Sequence, residues 1–137
     1  MNGVMVCVVV LAAASAFGLW QRRGDGRLKV RDRDAGRRLD AAVLGAELGH
    51  RATLVQFSSA FCQPCRATRR TLAEVAHMVD GVVHVELDAE ERLSLVRELG
   101  VMKTPTVLVL DAGGRIVTRA SGQPRKADVI AALGQAV

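Results

Sequence analysis

Short apolar runs along the chain have the length and composition of buried β-strands. Three of them are Thr53 to Phe57, Val82 to Asp88 and Thr106 to Leu110. The last of these lacks polar alternation, which is typical of a strand that is buried on both faces. A fourth strand is predicted for Arg115 to Ala120, because the turn sequence Asp111-Ala112-Gly113-Gly114 before it favours a hairpin.

Helical spacing of apolar residues fills the intervals between these runs. It predicts helices over Cys62 to Val79, over Glu90 to Leu99 with Gly100 at its end, and over Lys126 to Ala136. Asp40 can cap a further short helix that extends through Leu48. A strand-helix-strand start followed by a hairpin predicts an α/β fold, with a mixed sheet and helices on both faces.

The amino-terminal segment differs from the rest of the chain. Gly3 to Trp20 contains no charged residue, and as a helix it would extend for about 27 Å, close to the thickness of a bilayer core. Ala14-Ser15-Ala16 resembles a signal-peptide cleavage site. A secretory signal, however, has basic residues before its apolar region, and no Lys or Arg precedes the apolar run here. Residues 1–20 are therefore predicted to be a retained transmembrane anchor, with Trp20 at the interface.

The formal net charge of +5 is confined to one segment. Residues 21–38 contain eight basic and three acidic side chains, whereas residues 39–137 contain eleven of each sign. We therefore predict a solvated basic juxtamembrane linker over 21–38, with or without a short strand near Leu28 to Arg31, and a folded domain over 39–137. The positive-inside rule favours a cytoplasmic domain in a cell-membrane protein, with an extracytoplasmic domain as the alternative.

Nucleic-acid binding is not supported by this composition. The folded part has no excess of positive charge, and aromatic residues make up only 3% of the chain, with no tyrosine. Binding surfaces for single-stranded nucleic acids combine a basic groove with stacking aromatics. The sequence therefore predicts no nucleic-acid partner.

Two of the three cysteines lie close together in Phe61-Cys62-Gln63-Pro64-Cys65. A structural zinc site needs four ligands, but there is no second cysteine pair, and His50, His77 and His84 do not lie at ligand spacing. A structural disulfide across two residues would close too small a loop to stabilise the fold much. Redox exchange is the favoured interpretation, because a cysteine at a helix amino terminus has a stabilised thiolate.

Two further features extend this pattern: Thr104-Pro105-Thr106 opens the third strand, and Gly122 follows the fourth. Together with the cysteine pair, they make Asp40 to Ala136 resemble the thioredoxin family. The resemblance implies a three-layer α/β/α sandwich with a mixed sheet of four to five strands, preceded here by the single transmembrane helix. It also implies a cis peptide bond before Pro105, which faces the cysteine pair.

The resemblance further implies a thiol-disulfide oxidoreductase in which Cys62 attacks the substrate and Cys65 resolves the mixed disulfide. No cofactor is expected beyond the redox-active disulfide, and no metal. The expected partners are protein disulfide substrates and an upstream thiol electron donor, such as a thioredoxin reductase or a membrane thiol carrier. A metallochaperone-like domain and a non-catalytic adaptor are the alternatives. The expected substrate-binding residues are Phe61, Gln63, Pro64, Thr104, Pro105 and Gly122.

The sequence also departs from the family pattern. Phe61 replaces the usual tryptophan, and Gln63-Pro64 replaces Gly-Pro. Gln56 and His84 stand where the family commonly has an aspartate and a lysine that assist proton transfer from the resolving cysteine. Because glutamine cannot accept a proton at neutral pH, we hypothesise that His84 or water serves Cys65. The alternative is a polar pair whose hydrogen bonds satisfy each other.

Overall fold

The computed structural model describes residues 1–30 and 34–137. Its sheet has five strands in the order β1-β5-β4-β2-β3. The strands are β1 Leu28–Lys29, β2 Ala52–Ser58, β3 Val82–Asp88, β4 Thr106–Asp111 and β5 Ile116–Ser121. The helices are α1 Asn2–Gly24, α2 Ala41–Leu44, α3 Gln63–Met78, α4 Leu93–Leu99 and α5 Lys126–Ala136.

The sheet is mixed, as predicted. Strand β2 pairs in parallel with β3 and antiparallel with β4, and the pairs β4 with β5 and β5 with β1 are antiparallel. Alternate residues of β4 contribute to two separate apolar clusters, because successive side chains point to opposite faces. Leu108 packs in the cluster that includes α2 and α4 residues, whereas Val107 packs with α3 and α5. The three-layer α/β/α arrangement is therefore confirmed.

Two helices differ from their predicted extents. Asp40 caps α2 as expected, since its carboxylate accepts a hydrogen bond from the Val43 N–H at 2.8 Å. The helix nevertheless ends at Leu44 and does not reach Leu48, because Gly45 adopts the left-handed conformation, with φ at +69°. Similarly, α4 begins at Leu93, since residues 89–91 form a turn after β3.

The basic segment after α1 is partly built into the fold. Leu28 and Lys29 form the edge strand β1, and the Arg38 backbone bridges to Arg115. Asp34 is buried and accepts a hydrogen bond from Arg119 of β5 at 2.8 Å. The possible short strand in this segment is therefore confirmed at Leu28 and Lys29, whereas the buried Asp34 departs from the prediction of a solvated linker. The boundaries at 20 and 38 stay predictions. Residues 31–33, part of the same segment and of the possible strand to Arg31, lie outside the described residues.

Helix α1 has the dimensions of a membrane span. It contains 23 residues, its most apolar window has a mean hydropathy of 2.2, and no part of that window is buried within the protein. Length and composition alone support this conclusion, and secretory signal sequences can share the same profile. Arg22 and Arg23 lie in its last turn.

We expect the buried pair of Asp34 and Arg119 to be essential for stability. Both side chains are about 95% buried, with 5% and 3% exposed respectively. Asp34→Ala would remove one partner of a buried guanidinium, so it should lower the free energy of unfolding by about 1–3 kcal/mol. Urea denaturation followed by circular dichroism measures this change.

Two control variants test the cause of that loss. Glu74→Ala removes an exposed ion pair with Lys126 and should cost less than about 1 kcal/mol. Asp34→Asn keeps an oxygen that can accept the Arg119 hydrogen bond, so it should lose less stability than Asp34→Ala. An Asp34→Ala protein as stable as Glu74→Ala would contradict the expectation.

Candidate functional site

The two cysteines of Phe61-Cys62-Gln63-Pro64-Cys65 form a disulfide at the start of α3. Cys62 is the N-cap residue, and its sulfur accepts a hydrogen bond from the Cys65 N–H at 3.2 Å. Pro64 lies in the first turn, where a helix has no need of its missing N–H. Cys65 is 1% exposed, whereas Cys62 is partly exposed, so solvent reaches the first cysteine more readily.

The loop before β4 lies against this disulfide. The Thr104-Pro105 peptide bond is cis, and the Thr104 hydroxyl lies 3.9 Å from the Cys62 sulfur. The Ser59 hydroxyl is hydrogen-bonded to the Thr104 hydroxyl at 2.7 Å. The turn after β2 and the loop before β4 therefore meet beside Cys62, through a pair of hydroxyl groups. Ser59 has no motif of its own, and only the folded structure identifies it.

The residues around the disulfide are unequal in exposure and strain. Phe61 is 99% exposed and has φ at +58°, an unusual conformation for an aromatic residue that costs about 1–3 kcal/mol. Gln63 and Pro64 are also exposed. The large apolar side chain of Phe61 is therefore exposed to solvent directly beside the accessible Cys62.

Gly122 lies on the other side of the Thr104-Pro105 loop. Its N–H donates a hydrogen bond to the Pro105 carbonyl at 2.7 Å, and its φ of +99° favours glycine. A Cβ at this position would clash with the Asp25 carboxylate, which forms an ion pair with Lys103. Asp25, in the turn that follows α1, therefore lies against both Lys103 and Gly122. The sequence pattern does not predict these two contacts.

Gln56 is fully buried in β2, behind the cysteine pair. Its amide nitrogen donates to the Cys65 carbonyl at 2.8 Å and to the Ser58 hydroxyl at 2.9 Å. Its amide oxygen lies 3.0 Å from Nε2 of His84. Because an amide oxygen only accepts, Nε2 of His84 must carry the proton in this contact. The geometry therefore favours the hydrogen-bonded pair, and Nε2 cannot take a proton while the contact lasts.

A carboxylate extends this polar cluster to the surface. Ser58 donates to Glu86 at 3.2 Å, and Arg69 of α3 contacts both Glu86 oxygens at 2.8 and 3.0 Å. The strand register could have revealed the cluster, since alternate residues of β2 and β3 share the face that meets α3. Arg69 is exposed on α3, and its guanidinium is ion-paired with Glu86.

The surroundings of His84 favour its neutral form. Burial lowers the pKa of the imidazole, and the nearby Arg69 guanidinium lowers it further, while the Glu86 carboxylate acts in the opposite direction. Desolvation has the largest effect, so the balance lies below the usual histidine value. His84 is therefore built into the fold as an uncharged hydrogen-bonding group.

The described ranges contain no group of three or more His, Cys, Asp or Glu side chains that could hold a metal ion. Of the residues that sequence patterns propose for the site, Thr104 contacts the Cys62 sulfur and Gly122 contacts the Pro105 carbonyl. Gln56 contacts the Cys65 carbonyl, and His84 contacts Gln56. The reactive group that the geometry presents is a partly exposed sulfur–sulfur bond.

Sheet order, helix layers and a Cys-x-x-Cys disulfide at a helix start together define a thioredoxin-fold redox protein. The family model named Thioredoxin matches residues 39–135, and the chain belongs to this family. Thioredoxins exchange disulfides, and with its Cys62–Cys65 pair this chain is a protein disulfide oxidoreductase. Helix α1 and strand β1 lie outside the matched residues.

Individual proteins agree with this assignment. Thioredoxin of Alicyclobacillus acidocaldarius is 36% identical over 89 residues, which cover 64% of this chain and 84% of that protein. Thioredoxin of Bacillus subtilis is 31% identical over 83 residues, covering 60% and 80%. The crystal structure of thioredoxin f from spinach chloroplast superposes with a TM-score of 0.56 at 24% identity, covering 64% of this chain and 78% of that one.

We expect the hydroxyl pair to stabilise the Cys62 thiolate in the reduced protein. Thr104→Val removes the hydroxyl next to the sulfur, while Ser59→Ala removes the group that orients it. Each substitution should slow alkylation of Cys62 by iodoacetamide near neutral pH, by about fivefold for a lost interaction of about 1 kcal/mol. Single-turnover alkylation followed by mass spectrometry gives these rates.

Thr71→Val is the matched control, because its hydroxyl contacts the Ala67 carbonyl along α3 and not the cysteines. Its alkylation rate should equal that of the wild type. Equal rates in all three variants would show that the hydroxyl pair does not act on Cys62.

We expect His84 to make stability depend on pH. Its pKa is lower in the folded protein than in the unfolded chain, so acid protonates the unfolded chain first and favours unfolding. The free energy of unfolding should therefore fall as pH drops below about 6.5, the unfolded value. His84→Gln should remove this part of the slope in urea denaturation between about pH 7.5 and pH 5.

His77→Gln, an exposed position on α3, is the control and should leave the pH dependence as in the wild type. Parallel curves for the wild type and His84→Gln would contradict the expectation.

Proposed function

We propose that the protein reduces disulfide bonds of protein substrates close to a membrane. The observation that carries this proposal is the unequal disulfide at the start of α3, with Cys62 reachable from solvent and Cys65 buried. A partly exposed sulfur can meet another protein, whereas a buried one can act only on its neighbour. This asymmetry supports Cys62 as the attacking residue and Cys65 as the resolving residue.

The proposed reaction has two exchange steps. In the reduced protein, the Cys62 thiolate attacks one sulfur of a substrate disulfide, forms a mixed disulfide and releases the first substrate thiolate. The Cys65 thiolate then attacks the Cys62 sulfur, so that the Cys62–Cys65 disulfide forms and the second substrate thiolate leaves. Two electrons pass to the substrate. An upstream thiol donor, such as a thioredoxin reductase or a membrane thiol carrier, must return them.

The start of α3 supports the attacking role of Cys62. Backbone N–H groups in a first helical turn lack helical acceptors, and the helix dipole is positive there. The Cys65 N–H already points to the Cys62 sulfur at 3.2 Å in the oxidised protein. After reduction, the same donor would stabilise the thiolate that attacks, and it would also stabilise the sulfur as a leaving group.

The surroundings of Cys62 support a groove for an extended substrate chain. Phe61, with Gln63 and Pro64, would form one side, and the Thr104-Pro105 loop with Gly122 would form the other. Pro105 and Gly122 are buried, so Thr104 is the partly exposed residue of that second side. A fully exposed aromatic ring beside a reactive sulfur would provide an apolar contact for a partner protein. The strained conformation of Phe61 agrees with a functional constraint at this position.

Helix α1 would hold this site at a membrane. An attached domain meets partners on the same surface at a raised effective concentration. The arginines at the end of α1 favour a cytoplasmic domain, where a reducing environment suits a reductase. Alkaline phosphatase fused after Val137 tests the orientation, since strong phosphatase activity would place the domain outside.

We expect reduction of insulin disulfides with dithiothreitol to depend on Cys62. Cys62→Ser should abolish the acceleration, because no thiolate remains to attack. Cys65→Ser should instead accumulate a mixed disulfide with the substrate, visible on non-reducing gels. The reduction potential of the pair should lie closer to about −270 mV, as in thioredoxin, than to about −120 mV, as in a strong oxidase.

Cys7→Ser is the matched control, because Cys7 is an exposed free cysteine in α1 that lies outside the site. Its insulin reduction should match the wild type. A wild-type protein inactive in this assay would sink the reductase proposal and favour an adaptor role, and a potential near −120 mV would favour an oxidase.

A further inference from the structure

A cleft of about 1060 Å³ opens between the end of α1 and the start of α5. Most of its walls come from two parts of the chain that are about a hundred residues apart, and Thr71 of α3 and Thr118 of β5 also line it. Arg22 and Arg23 lie in the last turn of α1, while Arg125 and Lys126 lie where α5 begins. The cleft is separate from the groove at the cysteine pair.

The cleft concentrates positive charge. Six basic side chains line it, against two acidic ones, Asp25 and Asp128. Asp25 is already ion-paired with Lys103, and Lys126 is ion-paired at 3.0 Å with Glu74, which does not line the cleft. Residues 39–137 have no net charge as a whole. Folding brings two of their basic side chains, Arg125 and Lys126, next to those of the basic segment. The six are Arg22, Arg23, Arg27, Lys29, Arg125 and Lys126.

The place of the cleft relative to α1 indicates what could fill it. Trp20 lies one residue before the last turn of α1 begins, and tryptophan is enriched at the boundary between membrane and water. A cleft at the next turn would open at the level of the lipid headgroups. Clusters of Lys and Arg directly beside a membrane span attract anionic lipids, at about 1 kcal/mol for each basic side chain.

We propose that this cleft binds the phosphate of anionic phospholipid headgroups. The inference rests on the proposed membrane attachment of α1. Arginines at the end of α1 would provide half of the site and the start of α5 the other half, so that lipid binding would join the redox domain to the bilayer surface. A soluble phosphate compound has the same recognition chemistry, and the experiment separates the two sources.

The only tryptophan of the chain provides the readout. The full chain is reconstituted in phosphatidylcholine bilayers with a minor fraction of phosphatidylglycerol. Bromine atoms are placed on the acyl chains of one lipid or the other, at equal fractions, and quench the fluorescence of a nearby tryptophan. Stronger quenching of Trp20 by brominated phosphatidylglycerol than by brominated phosphatidylcholine measures the preference for the anionic headgroup.

The wild type should show this preference. Arg125→Ala combined with Lys126→Ala removes the α5 half of the cleft and should weaken the preference at least about fivefold, the effect of one basic side chain. Arg97→Ala combined with Arg115→Ala removes the same charge at exposed positions outside the cleft, and should leave the preference intact. Both double variants should keep wild-type insulin reduction.

Three results would overturn the lipid site. An unchanged preference in the Arg125 and Lys126 variant would mean that the arginines of α1 act alone, and an equal loss in both double variants would mean that net charge acts alone. Loss of the preference on adding inorganic phosphate at constant ionic strength would assign the cleft to a soluble phosphate compound. Absence of quenching by both lipids would contradict the membrane attachment itself, independently of insulin reduction.

Discussion

Strand β2 is buried along its whole length, and its pairing with β3 on one side and β4 on the other determines where the reactive groups lie. Its carboxyl end leads through a short turn into Cys62, while the antiparallel partner β4 begins at Thr106, next to Pro105. The start of one strand thus lies beside the end of the other. A shift of one residue in the pairing of β2 would turn Gln56 to the opposite face of the sheet. It would also separate the disulfide from the Thr104-Pro105 loop.

The site behind the cysteines differs from the pattern common in the family. A buried acid could exchange a proton with the resolving cysteine, whereas the amide of Gln56 donates to the Cys65 carbonyl and accepts from His84. This arrangement positions the backbone of Cys65 without changing its own charge. Charge appears only further out, at Glu86 and Arg69. Any proton leaving Cys65 must therefore travel by a route other than the side chain of residue 56.

Several features of the fold follow from local patterns, and these the sequence predicts well. The apolar strand runs, the capping aspartate Asp40 and the Gly100 that follows the end of α4 depend on neighbouring residues. The Cys-x-x-Cys pair and Thr104-Pro105 are likewise visible as motifs. The two motifs lie next to each other, as the family resemblance implies. The structure gives the separation, 3.9 Å from the Thr104 hydroxyl to the Cys62 sulfur. The extent of α2 depends on whether Gly45 or Gly49 ends the helix, which composition does not decide.

Contacts between distant residues are the part that sequence patterns could not provide. Asp34 and Arg119 form a buried pair across 85 positions, and neither belongs to a recognisable motif. Ser59 gains its role only because Thr104 lies opposite, and the edge strand β1 consists of just two residues. Such features arise from tertiary packing, which overrides the average behaviour of charged and polar residues.

The backbone hydrogen bond from Gly26 to the Ser121 carbonyl, at 2.8 Å, limits how far the redox domain can reach. Helix α1 ends at Gly24, so only Asp25 separates the helix from the first contact with the domain. At about 3.5 Å for each residue, this connection is shorter than about 10 Å. When α1 spans a bilayer, the domain therefore has no long connection that would let it move away, and a partner disulfide must come to the membrane surface to react with Cys62.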